Sequence, residues 1–177
     1  MKVAIFCANG VEECEALLVY DLLYRCELDV DLVSVADELI TSSHKLSFKT
    51  NKNINDIDIK EYDCIVLPGG DPGSKNLDAC LKVHEAIDYC VKENKLIAAL
   101  CSAPFILVKK GLLNDNEFTC FPGCEEGKIS TGEKVHQHKN IITGKGLGAT
   151  IEFAGLIIKN LLGEDKQNEI YKRIQLL

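Results

Sequence analysis

The chain has 177 residues, 46% of them apolar and 27% charged, with a formal net charge of -7. Length and apolar share point to one compact domain, residues 1–177, able to bury a layered core. Lys and Arg are scattered rather than gathered into a stripe, so no nucleic-acid partner is expected. With no run near the roughly 18 apolar residues of a span, no membrane partner is expected either.

Residues 2–7 read as a first strand, apolar enough to be covered on both faces, and follow no secretory apolar segment, so a cytoplasmic protein is expected. The nine cysteines are odd in number and irregularly spaced, which predicts free thiols rather than a disulfide framework. A turn at residues 8–10 opens a helix running to about Cys26, with Glu12, Glu13 and Glu15 in a first turn that suits carboxylates and Leu17, Leu18 and Leu22 facing inward. Residues 31–36 form the second strand, joined to the first by a right-handed parallel crossover. Residues 39–60, rich in Asn and Asp, are expected as short strands and loops.

A buried strand over residues 63–67 ends in Pro68-Gly69-Gly70-Asp71-Pro72-Gly73, a dense turn signal. A helix is predicted from there to about Asn94, then a strand that breaks at Cys101 and hands over through Ser102 and Pro104 to a helix ending near Gly111. Beyond it, residues 117–121, 135–138 and 140–143 are read as short strands, one pair antiparallel. Residues 149–162 and the tail from Glu164 are read as helices. The alternation predicts an α/β fold, a doubly wound, mostly parallel sheet with helices on both faces.

In such sheets ligands bind beyond the carboxyl ends of the strands, where residues 10–15, the Pro68–Gly73 turn and the Cys101 elbow converge. Cys101 is the candidate nucleophile, since a thiol at a helix start should ionise below its ordinary value of about 8.5. Glu15 is placed against it, and the two cannot both ionise cheaply. Glu15 is therefore expected to stay protonated and to donate to the sulfur. His136 and His138 share a strand face without ligands fixed nearby in sequence and are read as surface residues rather than a metal site. Cys120 and Cys124 lack the second pair that a zinc site needs. Gly144-Lys145-Gly146-Leu147-Gly148 is not a dinucleotide fingerprint, and no cofactor is expected.

Glu12-Glu13-Cys14-Glu15, Val66-Leu67-Pro68-Gly69-Gly70, Ala98-Ala99-Leu100-Cys101-Ser102-Ala103-Pro104 and Gly146-Leu147-Gly148 with Glu152-Phe153-Ala154 resemble the DJ-1/ThiJ/PfpI superfamily, notably its bacterial DJ-1-like branch. The resemblance implies a flavodoxin-like sandwich, a homodimer, and a reactive Cys101 on a strained elbow beside a protonated Glu15. It also implies backbone N–H groups of Gly70 and Ser102 serving as an oxyanion hole. The implied activities are cofactor-independent conversion of small 2-oxoaldehydes or repair of glycated groups, with oxidation of the cysteine to sulfinate, as a sensor or chaperone-like protein, the alternative. The implied partner is a small aldehyde or an oxidant.

Two departures from the family pattern matter. Ser102 stands where the protease-like branch has histidine, which removes a Cys-His dyad and disfavours peptidase activity. Phe121 stands where other members carry histidine in the later loop. His44 falls near a position where the family often has arginine and is an accessory candidate, as is Cys120, a possible resolving thiol for Cys101.

Overall fold

The computed structural model describes residues 1–177, which run in chain order through β1 (Lys2–Cys7), α1 (Glu13–Tyr24), β2 (Asp29–Ser34), β3 (Leu39–Thr41), β4 (Ser47–Lys49), β5 (Lys52–Asn53) and β6 (Cys64–Leu67). Then follow α2 (Gly73–Asp78), α3 (Leu81–Lys92), β7 (Leu96–Leu100), α4 (Pro104–Lys109), β8 (Val135–His138), β9 (Ile141–Gly144), α5 (Thr150–Leu162) and α6 (Glu164–Arg173). Seven strands make one sheet in the order β5-β2-β1-β6-β7-β9-β8, parallel throughout except for the β8–β9 edge pair. No helix is long and apolar enough to cross a membrane.

Strand periodicity sorts the core into two layers. Val3, Ile5 and Cys7 of β1 join the cluster beneath α1 and α5, whereas Ala4 and Phe6 join the cluster beneath α3 and α4. Helices thus cover both faces, as the alternating sequence pattern predicts. Tyr171 of α6 lies so close to Gly155 of α5 that an added Cβ would overlap the phenol oxygen. The separate β3–β4 hairpin is tied over the β1–α1 connection by Gly10 N–H to Thr41 O at 2.8 Å and Ser43 N–H to Val11 O at 2.9 Å.

Two expected elements differ. The helix expected between Gly73 and Asn94 is broken at Cys80, whose ψ of 111° is extended. The break lets both Leu77 and Val83 reach the core; on a straight helix six residues turn about 600° and would leave them on different faces. Residues 117–121 form no strand. Their backbone is held by scattered partners, Thr119 N–H to Thr143 Oγ1 at 2.9 Å and Phe121 N–H to Cys101 O at 2.7 Å, which replace a ladder.

Candidate active site

Strands β1, β6 and β7 lie side by side, and their carboxyl ends carry the three predicted loops to one place. Cys101 follows β7 with φ of +62°, a left-handed conformation costing a residue with a Cβ on the order of 1–2 kcal/mol. Both its backbone groups are pinned: its N–H donates to Gly144 O at 2.8 Å and its carbonyl accepts from Phe121 N–H at 2.7 Å. These bonds hold the half-buried sulfur in a kink that the chain would otherwise relax.

Glu15 lies in the first turn of α1 and is 1% exposed. Its Oε2 accepts from Gly69 N–H at 2.9 Å, its carboxyl neighbours the Cys101 thiol, and Oε1 is buried without a conventional hydrogen-bond partner. One N–H is thin solvation for a full carboxylate charge, and a proton on the group removes that cost. Gly69 makes the approach possible: a Cβ there would stand 2.7 Å from Cys101 Cβ and 2.9 Å from Glu15 Oε2. Gly70, at φ of +101°, is equally confined, because its Cβ would meet Gly10 O and Glu12 N.

Burial pushes Glu15 up to about 7, against the Gly69 N–H and Cys101 contacts that favour its ionised form. Burial and then the Glu15 charge push the Cys101 thiol up as well, while the Ser102 N–H favours the thiolate. The expectation of a thiol more acidic than usual is thereby reversed. Desolvation outweighs the helix start, and α4 is only 6 residues long. The expected raised Glu15 carboxyl is present. With both groups raised, a proton remains between them over the neutral range.

Cys101 opens into a cavity of about 720 Å³ that is also lined by Gly70, Ser102, Phe121, Cys124 and Lys109. Ser102 Oγ donates to Ser74 Oγ at 2.9 Å, and Ser74 Oγ donates to Gly70 O at 3.2 Å, which links the elbow to the β6 loop. The backbone N–H groups of Gly70 and Ser102 are free of carbonyl partners. Ser74 and the Gly69 N–H had no signal in sequence, because each acts through a neighbour distant in the chain.

The remaining candidates disperse. His44 sits on the β3–β4 turn, exposed, at 3.2 Å from Glu13 and 3.6 Å from Glu12, outside the cavity. Those three could offer ligand atoms to a metal, but they are a surface cluster. His136 and His138 are half-buried rather than fully exposed and face different carboxylates, Glu133 at 2.7 Å and Glu117 at 3.6 Å. Cys120 is 2% exposed within the core, not on the cavity wall, and burial pushes its thiol up to about 12. Phe121 is 52% exposed at the cavity rim.

The sequence profile of the DJ-1/PfpI family matches residues 1–160. Among curated proteins, the Arabidopsis thaliana protein DJ-1 homolog B is 31% identical over 175 residues, covering 96% of this chain and 40% of its own length. The chain therefore spans about two fifths of that relative. A Schizosaccharomyces pombe protein named glutathione-independent glyoxalase DJ-1 is 27% identical over 191 residues, covering 99% of each chain. Among solved structures, a C103A mutant of a DJ-1 superfamily protein from Salmonella typhimurium superposes with a TM-score of 0.92 at 30% identity, covering 98% of this chain and 97% of its own. Elbow, glycine loop and profile agree, and the chain belongs to the DJ-1/PfpI family.

Proposed function

We propose that the protein converts small 2-oxoaldehydes to hydroxy acids, with Cys101 as nucleophile and Glu15 as proton carrier. The supporting observation is the buried Glu15 carboxyl, with one oxygen unpartnered, beside a thiol on a strained elbow that opens into a cavity. The glyoxalase name of the fission-yeast relative agrees with this reading.

With Glu15 in its ionised form, which a value of about 7 makes accessible at neutral pH, the Cys101 sulfur adds to the aldehyde carbon while Glu15 takes the thiol proton, passes it to the new alkoxide oxygen and is ionised again, giving a hemithioacetal. The N–H groups of Gly70 and Ser102 stabilise the oxygen while it is charged. Glu15 then takes the proton from the former aldehyde carbon and returns one to the neighbouring carbon through an enediol, leaving a hydroxyacyl thioester. Water cleaves the thioester, releases the hydroxy acid and restores the thiol. Aldehyde oxidation and ketone reduction occur within one molecule, so electrons balance with water alone.

Proton transfer by a positioned side chain contributes about 10²- to 10⁴-fold. Phe121, which has no titratable group, leaves Glu15 as the proton carrier at the sulfur. Purified protein given methylglyoxal should form lactate above a Cys101→Ala control, and equal rates would sink the reading. Membership of the family supports a homodimer as a further part of the proposal, which light scattering on the purified chain tests directly.

A further inference from the structure

Cys124 is a thiol that the proposed reaction leaves unused. It is half-buried and lines the same cavity as Cys101. The backbone brings it there by two consecutive hydrogen bonds: Phe121 N–H donates to Cys101 O at 2.7 Å, and Cys124 N–H donates back to Phe121 O at 3.1 Å. The first fixes the loop beside the elbow, and the second closes a turn from Phe121 to Cys124, which lines the cavity. Cys124 also lies within the electrostatic surroundings of Cys101: after burial and Glu15, a Cys124 thiolate adds to the opposition to Cys101 ionisation. Gly123 and Gly127 adopt φ of +94° and +75°, and nothing lies within 4 Å of where their Cβ atoms would be. A disulfide needs Cα atoms about 4.4–6.8 Å apart, so trapping the cross-link also measures how near the two thiols come. Cys120, four residues earlier, lies buried in the core instead.

We propose that Cys124 is the resolving thiol for Cys101, so that a hydroperoxide converts the pair to a reversible intramolecular disulfide before Cys101 can reach sulfinate. The inference rests on Cys101 being the reactive sulfur of the proposed function. The Cys101 sulfur attacks one peroxide oxygen and the O–O bond breaks. The departing oxygen leaves as water, or as an alcohol from an alkyl hydroperoxide, taking up the thiol proton, and the sulfur becomes a sulfenic acid. The Cys124 sulfur then attacks the Cys101 sulfur, the S–O bond breaks, and a second water leaves with the Cys124 proton as the S–S bond forms. Two thiols are oxidised by two electrons, and one peroxide is reduced. Burial and then the acidic groups Glu125, Glu126 and Asp71 push the Cys124 thiol up, and Lys75, also on the cavity wall, offsets part of that.

The test treats the full chain with limiting hydrogen peroxide, blocks remaining thiols, and maps tryptic peptides without reduction. Cleavage after Lys95, Lys109, Lys110 and Lys128 separates Cys101 from Cys120 and Cys124, and fragmentation assigns the partner. The expected product is a Cys101–Cys124 cross-link with loss of two hydrogens, reversed by dithiothreitol. The Cys124→Ser variant should instead gain two oxygens on Cys101, whereas Cys120→Ser should keep the cross-link. Sulfinate on wild-type Cys101 without a cross-link, or a cross-link to Cys120, overturns the assignment while leaving Cys101 reactive. A Cys101 inert to both peroxide and methylglyoxal overturns the catalytic reading beneath it as well.

Discussion

Two buried carboxylates, at different places in the same fold, are treated in opposite ways. Asp31 on β2 is 4% exposed, and both its oxygens are satisfied: Tyr62 Oη donates to Oδ2 at 2.7 Å, Asn51 Nδ2 donates to Oδ1 at 2.9 Å, and Lys2 Nζ stands 3.6 Å away. Glu15 is as deeply buried but receives one backbone N–H and leaves Oε1 without a conventional partner. Burial alone therefore does not mark a site. The Asp31 network ties β2 to the segments before β5 and β6, whereas the sparse surroundings of Glu15 make its proton available to a neighbouring sulfur.

The largest effect that separates these regions is at the sulfur. Cys101→Ala should reduce lactate formation from methylglyoxal to background. Cys101→Gly should do the same yet unfold later in denaturant than Cys101→Ala, by about 1 kcal/mol, because glycine tolerates the positive φ. Equal midpoints would show that the elbow is not strained.

Glu15→Gln should lower turnover by about 10²- to 10⁴-fold with little change in fold. It should also remove a pH dependence of stability. The carboxyl titrates near 4.5 when unfolded and at about 7 when folded, so the native state holds the extra proton between those values. Its stabilisation is complete below pH 4.5 and is lost as pH rises through 7, on the order of 3 kcal/mol in all, an upper bound because Cys101 shares the titration. Urea midpoints for wild type and Glu15→Gln measured across that window should converge at its acid end. Parallel curves would reject the buried-acid account.

Asp31→Ala is the reverse case. It should cost roughly 1–3 kcal/mol of stability, since Tyr62 and Asn51 lose a charged acceptor, while turnover per folded molecule is retained. Loss of activity in folded protein would erase the contrast between the two carboxylates. Smallest of all, His44→Ala should leave methylglyoxal turnover unchanged, because the imidazole contacts Glu12 and Glu13 outside the cavity.

Much of the site was legible because it is written in short runs. An apolar strand broken by Cys101-Ser102-Ala103-Pro104, and another ended by Pro68-Gly69-Gly70, announce two loops at one end of a parallel sheet. The placement of Glu15 against Cys101 follows from that topology and is present. The ionisation of Cys101 departs from the sequence expectation because a helix start is visible in sequence whereas desolvation is not. The sequence names Cys120 as a partner thiol and is silent on Cys124 for a similar reason: nothing in Thr119-Cys120-Phe121-Pro122-Gly123-Cys124 tells which sulfur faces the core.

By itself the sequence determined the strand and helix alternation, the two-sided burial of the strands and the loops that carry the chemistry, because each depends on periodicity and turn residues within a few positions. Only the tertiary structure decided that the Gly69 N–H would reach Glu15 from 54 residues away, that Ser74 would brace Ser102, and that Cys124 rather than Cys120 would line the cavity. Those outcomes depend on how separate segments exclude water from one another, and solvent exclusion is a property of the packed chain rather than of any local run.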